Sequence, residues 1–209
     1  MRVKTDTRRR LILKAASEIF REQGFVRATM TAVSRRAGGS KATLYRYYKS
    51  KEDLFIATML ERVLDRAKEV FDTLQPSADP RLTLEQFGAG LLALFLSDEA
   101  LCVRRKAIAE AARSGAGATL YPHGGEALWS RLANFLEAEM LAGGLRSEDP
   151  WTVAMQLRGM LEADLVNSAL LGARVETRPS QLRQVAAQAV EVLFRAYDPQ
   201  ELHHRELRC

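Results

Sequence analysis

Residues 31–55, TAVSRRAGGSKATLYRYYKSKEDLF, limit the fold more than any other stretch, because helix-forming runs flank Gly38-Gly39 and a third run restarts within 25 residues. A glycine pair stops a helix, and the segments on either side are too short to persist alone. They must therefore pack on one another and on a longer neighbour. Thr29 is placed to cap a helix whose Met30, Val33 and Ala37 share a face, and Ser40 to cap another with Leu44 and Tyr48 one turn apart on its inner side. Ser50 and Asp53 have capping-box spacing, although Asp reaches back less well than Glu or Gln.

The same helical spacing runs through the rest of the chain. Leu11, Ile12, Ala15, Ile19 and Phe20 stop at Gly24, which predicts a first helix over about Thr7 to Gln23. Leu54, Phe55, Met59, Val63, Val70, Phe71 and Leu74 carry an apolar stripe to Pro76, a connector helix over 51–74. The linker QPSADPR, 75–81, turns the chain. Further helices are expected near 83–96, 98–113, 123–142, 150–171 and 179–197, separated by a glycine-rich stretch at 114–125, by Gly143-Gly144, by Asp149-Pro150 and by Arg178-Pro179. No stretch alternates as a strand does. The expected fold class is all-α, with a three-helix helix-turn-helix head at 1–50 and a larger helical domain at 51–209.

Charge divides along the same line. Residues 1–51 carry 14 Lys/Arg against 3 Asp/Glu, whereas 52–209 carry 17 against 23, so a polyanion is drawn to the first quarter. A secretory leader needs an apolar run after Met1-Arg2-Val3-Lys4, but Thr5, Asp6, Thr7 and three arginines follow, and the run Leu91 to Leu96 is too short to span a bilayer. A cytoplasmic protein with no membrane partner is expected. Cys102 reads as a small core residue and Cys209 as a free thiol, without disulfide or metal spacing. His123, His203 and His204 have no partnered cysteine or carboxylate, and no G-x-S-x-G, H-E-x-x-H, Walker A or dinucleotide motif occurs. Catalysis, a cofactor and a metal are therefore not expected.

With Leu44 and Tyr48 turned inward, Ala42, Thr43, Arg46 and Tyr47 lie on the outer face of the short third helix. Small Ala42 permits close approach to a groove, Thr43 offers a methyl and a hydroxyl, and Arg46 can donate to guanine or phosphate. Lys41, Lys49 and Lys51 bracket this face with positive charge. Tyr45 is divided between ring packing and a hydroxyl on phosphate. Arg8, Arg9 and Arg10, at the start of the first helix, have two readings: contacts to phosphate or minor groove, or a flexible solubilising arm.

Gly24-Phe25, Thr29 and RRAGGSKATLYRYYKSKEDLF from Arg35 to Phe55 together resemble the TetR/AcrR family of ligand-responsive transcriptional regulators. The resemblance covers about the first 55 residues. It implies a DNA-binding head on a C-terminal ligand-binding and dimerisation domain. It further implies a homodimer on double-stranded, pseudo-palindromic operator DNA, and a small-molecule effector that releases it. Carried over residue by residue, it assigns Thr29, Ser40, Lys41, Thr43, Tyr45, Tyr47 and Lys51 to the DNA, with Arg46 more variable. Two positions depart from the family pattern: Gly39 stands where valine usually anchors the turn, and Ser34 where alanine is usual.

In the larger domain, helix 150–171 is apolar around much of its circumference. Its Gly159, Ala163 and Val166, with Leu182, Val185, Ala189, Leu193, Phe194 and Tyr197 of the last helix, would form a four-helix interface across a two-fold axis. The same residues would equally serve an intramolecular core, and the resemblance favours the interface. Among the middle helices Phe87, Leu91, Phe95, Ile108, Trp129, Leu132, Phe135, Met155 and Leu157 offer apolar walls, and Arg105, His123, Glu162 and Asn167 polar groups. Such walls favour a hydrophobic or aromatic effector. Glu162 and Asp164 interrupt an apolar helix, so at least one should face a cavity or a partner. A transcriptional repressor is the expected function. An activator of the same fold, and a non-catalytic interaction module with non-specific DNA affinity, are the alternatives.

Overall fold

A computed structural model describes residues 2–114 and 125–199. Among these residues every regular element is an α-helix. The chain divides into two compact units, Met1–Val63 and Leu64–Cys209.

The first unit is built on α1 (Arg2–Arg27), which is interrupted at Gly24, where φ is 72°. That left-handed value suits glycine, and the expected end at Gln23 coincides with it. The α1 face toward the core carries Ile12, Ala15, Ala16, Ile19 and Phe20, all buried, whereas Leu11, expected in the same stripe, is exposed. Phe20, Phe25 and Phe55 then gather into one aromatic cluster, with two of the ring pairs 4.9 Å apart. α2 (Met30–Arg36) starts at Thr29, whose side chain accepts from Ala32 N at 3.1 Å. α3 (Lys41–Tyr47) starts at Ser40, which accepts from Thr43 N at 3.1 Å. α4 (Lys51–Phe71) starts behind Ser50, whose hydroxyl accepts from Asp53 N. Each cap gives an otherwise orphaned amide its acceptor, a contribution of about 1 kcal/mol. Ser34, the departure in α2, is buried but donates to Thr31 O at 3.0 Å, so the polar substitution is satisfied in place.

The second unit comprises α5 (Pro80–Phe95), α6 (Asp98–Ser114), α7 (Gly125–Leu141), α8 (Pro150–Glu162), α9 (Leu165–Leu170) and α10 (Pro179–Ala196), after the final turns of α4. α5 begins three residues earlier than expected, because Asp79 caps it through Leu82 N and Pro80 takes its first position. α10 lies along α5, and Gly88 makes this possible. A Cβ there would stand 3.1 Å from Ala186 Cβ and 3.2 Å from Leu161 Cδ2. Phe71, Phe87 and Trp129 pack edge-to-face at 5.0 and 5.2 Å in the same core.

The single helix expected over 150–171 is broken in two. α8 ends at Glu162 and α9 begins at Leu165, with Asp164 at φ −100° and ψ −77° and no side-chain cap bond. Two adjacent arginines of α6 hold the two sides of the break: Arg104 pairs with Glu162, and Arg105 donates to the carbonyls of Ala169 and Leu170 at the end of α9. Among the described residues no single helix is long and apolar enough to cross a membrane.

Candidate nucleic-acid interface

α3 divides cleanly into an inner and an outer side. Leu44 is 1% exposed in the head core and Tyr48, the C-cap residue, is also buried, while Lys41, Ala42, Tyr45 and Arg46 are exposed and Thr43 and Tyr47 half-buried. The caps that start α2 and α3 leave Thr29 and Ser40 themselves exposed, so their hydroxyls remain at the surface. Thr43 Oγ1 lies 2.9 Å from Ser40 Oγ, which orients the two hydroxyls together. The Lys41 ammonium stands 5.9 Å from the Tyr45 ring and the Arg46 guanidinium 5.6 Å from the Tyr47 ring. Cation–π attraction of this kind orders long basic side chains on the outer face.

The face is held from behind by α1. Arg9 Nε donates to the Tyr48 hydroxyl at 3.4 Å, and burial pushes that phenol above its ordinary range. Arg36 of α2 forks across Glu18 and Glu22 of α1 at 3.1 and 2.9 Å. Glu22 is held below the usual carboxylate range chiefly by its hydrogen bond from Arg36. A depressed carboxylate contributes stability above its unfolded pKa and loses it as pH falls through the folded value. Melting curves between pH 7 and pH 3 should therefore show wild type above Glu22→Gln at neutral pH, with the two converging in acid.

Three positively charged residues have tasks the sequence did not reveal. Lys51, expected at the DNA, gives two of its hydrogens to Phe25 O at 2.9 Å and Val26 O at 3.3 Å, and lies 4.4 Å from the Phe25 ring. It thereby ties the end of α1 to the start of α4. Arg8 covers Gly39, since a Cβ at that glycine would overlap its guanidinium. The guanidinium thus takes the place of the side chain that the turn lacks. Arg8 and Arg9 belong to α1, so the reading of a flexible arm does not hold for them.

Comparison with known proteins decides what this head belongs to. Residues 12–58 match the family described as bacterial regulatory proteins, tetR family, and residues 82–199 match the C-terminal domain of AefR-like transcriptional repressors. The chain belongs to the tetR family. A TetR-family transcriptional regulator from Mesorhizobium loti superposes with a TM-score of 0.71 at 28% identity, covering 92% of this chain and 97% of that one. The flavonoid-responsive regulator FrrA superposes with a TM-score of 0.63 at 29% identity, covering 93% and 99%. The HTH-type transcriptional activator FasR of Mycolicibacterium smegmatis is 36% identical over 83 residues, 40% of this chain and 38% of FasR. The chain thus spans well under two thirds of the length of that curated relative. TetR-family regulators bind operator DNA and act as dimers with small-molecule effectors.

In the second unit the described residues expected to bind an effector divide between the core and the surface. Phe87, Leu91, Trp129, Leu132, Phe135 and Leu157 are packed into the core, Phe95 and Met155 are half-buried beside it, and Ile108 is 62% exposed, away from any wall. Arg105 is committed to the end of α9, and Asn167 donates to Ala163 O at the surface. His123 lies outside the described residues. Glu162 is buried as expected of a carboxylate facing inward, but its two oxygens accept from Arg104 at 2.6 Å and Arg158 at 2.7 Å. Neither arginine was singled out in the sequence, although the four-residue spacing of Arg158 and Glu162 on one helix was a readable signal.

The expected interface residues separate in the same way. Val166, Leu182, Ala189 and Leu193 are buried in the chain's own core, Leu193 at the floor of a groove between α8 and α10. Gly159 and Ala163 are exposed, and Val185 and Phe194 half-buried. Between α8 and α10 runs an apolar groove of about 510 Å³, lined by Gly159, Met160, Ala163, Val192, Ala196 and Tyr197 among others. Val192 and Ala196 were not among the residues named for the interface from sequence, whereas Tyr197 was.

Proposed function

We propose that this chain is a sequence-specific, DNA-binding transcriptional repressor that works as a homodimer in the cytoplasm and is released from a pseudo-palindromic operator by a small apolar or aromatic effector. The observation that carries the reading is the outer face of α3. Thr43, Arg46 and Tyr47 stand opposite a buried Leu44, with Lys41 and the hydroxyls of Thr29 and Ser40 at its edge. Side chains with such donors suit base edges and phosphate oxygens, and a rigid inner side keeps them in register. Ala42 leaves room for close approach and Tyr45 is exposed on the same helix, whereas Lys51 is occupied by the carbonyls of Phe25 and Val26.

Repression is favoured over activation because the match to a repressor domain covers residues 82–199, whereas the activator FasR is similar over only 83 residues. An apolar or aromatic effector is supported by the similarity to flavonoid-responsive FrrA over nearly the whole chain. The groove between α8 and α10 supports pairing of two copies through their α8 and α10, since an exposed apolar surface of this kind is buried more cheaply against its own copy than against water. The effector then acts by favouring one arrangement of the dimer. A hundredfold change in operator affinity needs about 3 kcal/mol of coupling.

Selection of genomic fragments by the purified protein tests the reading. A recovered motif with two-fold symmetry supports it. Uniform recovery that follows fragment length alone marks an interaction module with non-specific affinity instead.

A further inference from the structure

Arg8 is held in place without a polar partner. Its neighbours in the head have theirs: Arg36 pairs with Glu18 and Glu22, Lys51 donates to the carbonyls of Phe25 and Val26, and Arg9 donates to the Tyr48 hydroxyl. Arg8 makes no hydrogen bond or ion pair to a described residue, yet it is half-buried where Arg9 and Arg10 beside it are exposed. Its guanidinium lies on the turn between α2 and α3, where a Cβ on Gly39 would overlap Nη2 and stand 2.9 Å from Cζ. That space exists because Gly39 has no side chain. The backbone does not require the glycine, since the left-handed residue of the turn is Gly38, at φ 62°, and not Gly39. Gly39 immediately precedes Ser40, the cap of α3, and Ser40 and Lys41 are both exposed.

We infer that Arg8 is a phosphate contact on the operator and that Gly39 is the residue that positions it, by leaving a seat for the guanidinium beside the start of α3. The side chain comes from α1 and ends on the turn, so its charge stands at the end of α3 and not on the outer side with Thr43 and Arg46. A guanidinium at that edge meets the sugar-phosphate rim of the groove that α3 enters, and its planar fork matches phosphate oxygens. Seating on Gly39 restricts its rotamers before DNA arrives, so less freedom is lost on binding. The inference rests on the DNA-binding reading given above and adds to it one contact and the device that places it.

Operator binding by the full-length protein, followed at several salt concentrations, tests it. Each phosphate neutralised contributes about 0.9 to the slope of log K against log salt, and a dimer offers Arg8 twice, so Arg8→Gln should lower that slope by about two and weaken binding by about tenfold at physiological salt. Arg8→Lys, which keeps the charge, should keep most of the slope. The loss in Arg8→Gln should be equal on the selected and the scrambled duplex, because a phosphate contact carries no sequence information. Gly39→Ala, which displaces the guanidinium without removing it, should weaken binding severalfold in wild type and by less than about twofold in Arg8→Gln. An unchanged slope in Arg8→Gln overturns the assignment and marks the arginine as a brace for the turn, whatever happens to the melting temperature. A larger loss on the selected duplex than on the scrambled one overturns it as well, since that is the mark of a base contact. Equal effects of Gly39→Ala with and without Arg8 refute the role of the glycine. If wild type itself does not prefer the selected duplex, the DNA-binding reading fails; a retained preference with an unchanged slope rejects the Arg8 contact alone.

Discussion

Gly159→Glu is expected to convert the dimer to a monomer and to lower operator affinity by about a thousandfold, the gap that commonly separates specific from non-specific binding. The site permits a clean experiment. A Cβ at Gly159 meets nothing within 4 Å, so the new side chain fits the isolated chain, and an α-helix prefers glutamate to glycine by several tenths of a kcal/mol. The protomer should therefore melt no lower than wild type. What it should lose is assembly, because a carboxylate in the groove between α8 and α10 would have to be buried against the apolar surface of a second copy without a partner. Sedimentation or light scattering gives the oligomeric state, and titration of labelled operator gives the affinity. A variant that stays dimeric and binds operator normally would remove this face from the interface.

The second large effect concerns α3 itself. Thr43→Ala and Tyr47→Ala should each weaken operator binding by about tenfold to a hundredfold, the range for losing one good base or phosphate contact, and the pair together by more. Thr43 takes no part in the head's apolar core, so its loss should leave the melting temperature alone. Tyr47 is half-buried against that core, and its truncation will also cost packing. Tyr47→Phe separates the two contributions, since it keeps the ring and removes only the hydroxyl. If the alanine variants bind operator as wild type does while the dimer persists, α3 is not the reading element.

Much of the head was legible because its signals are local. Thr29, Ser40 and Ser50 sit one residue before their helices, and a hydroxyl there has one obvious task, which the hydrogen bonds to Ala32, Thr43 and Asp53 confirm. Leu44 and Tyr48 were assigned to the inner side by spacing alone, and both are buried. What escaped were pairings between residues distant in the chain. Arg8 over Gly39 and Arg9 on Tyr48 join α1 to residues more than thirty positions away, and nothing local marks them.

The second unit was harder for the same reason and for one more. An apolar pattern records that a residue is covered but not by what. Of the residues whose pattern suggested an interface, Val166, Leu182 and Ala189 are covered by their own chain, whereas Gly159 and Ala163 are exposed and line the groove, where they are joined by Val192, which the pattern did not mark. The break at residues 163–164 contains neither glycine nor proline, so helical spacing continued through it unmarked. It coincides with bonds from α6, with Arg104 and Arg105 gripping its two sides across more than fifty residues of sequence.

The measurement that bears most directly on the whole account is competition for the purified protein between its selected duplex and a scrambled duplex of equal length and composition, at physiological salt. A protein that offers α3 in two copies to successive turns of DNA, about 34 Å apart, should prefer the selected duplex by at least a thousandfold. Equal retention of the two would contradict it.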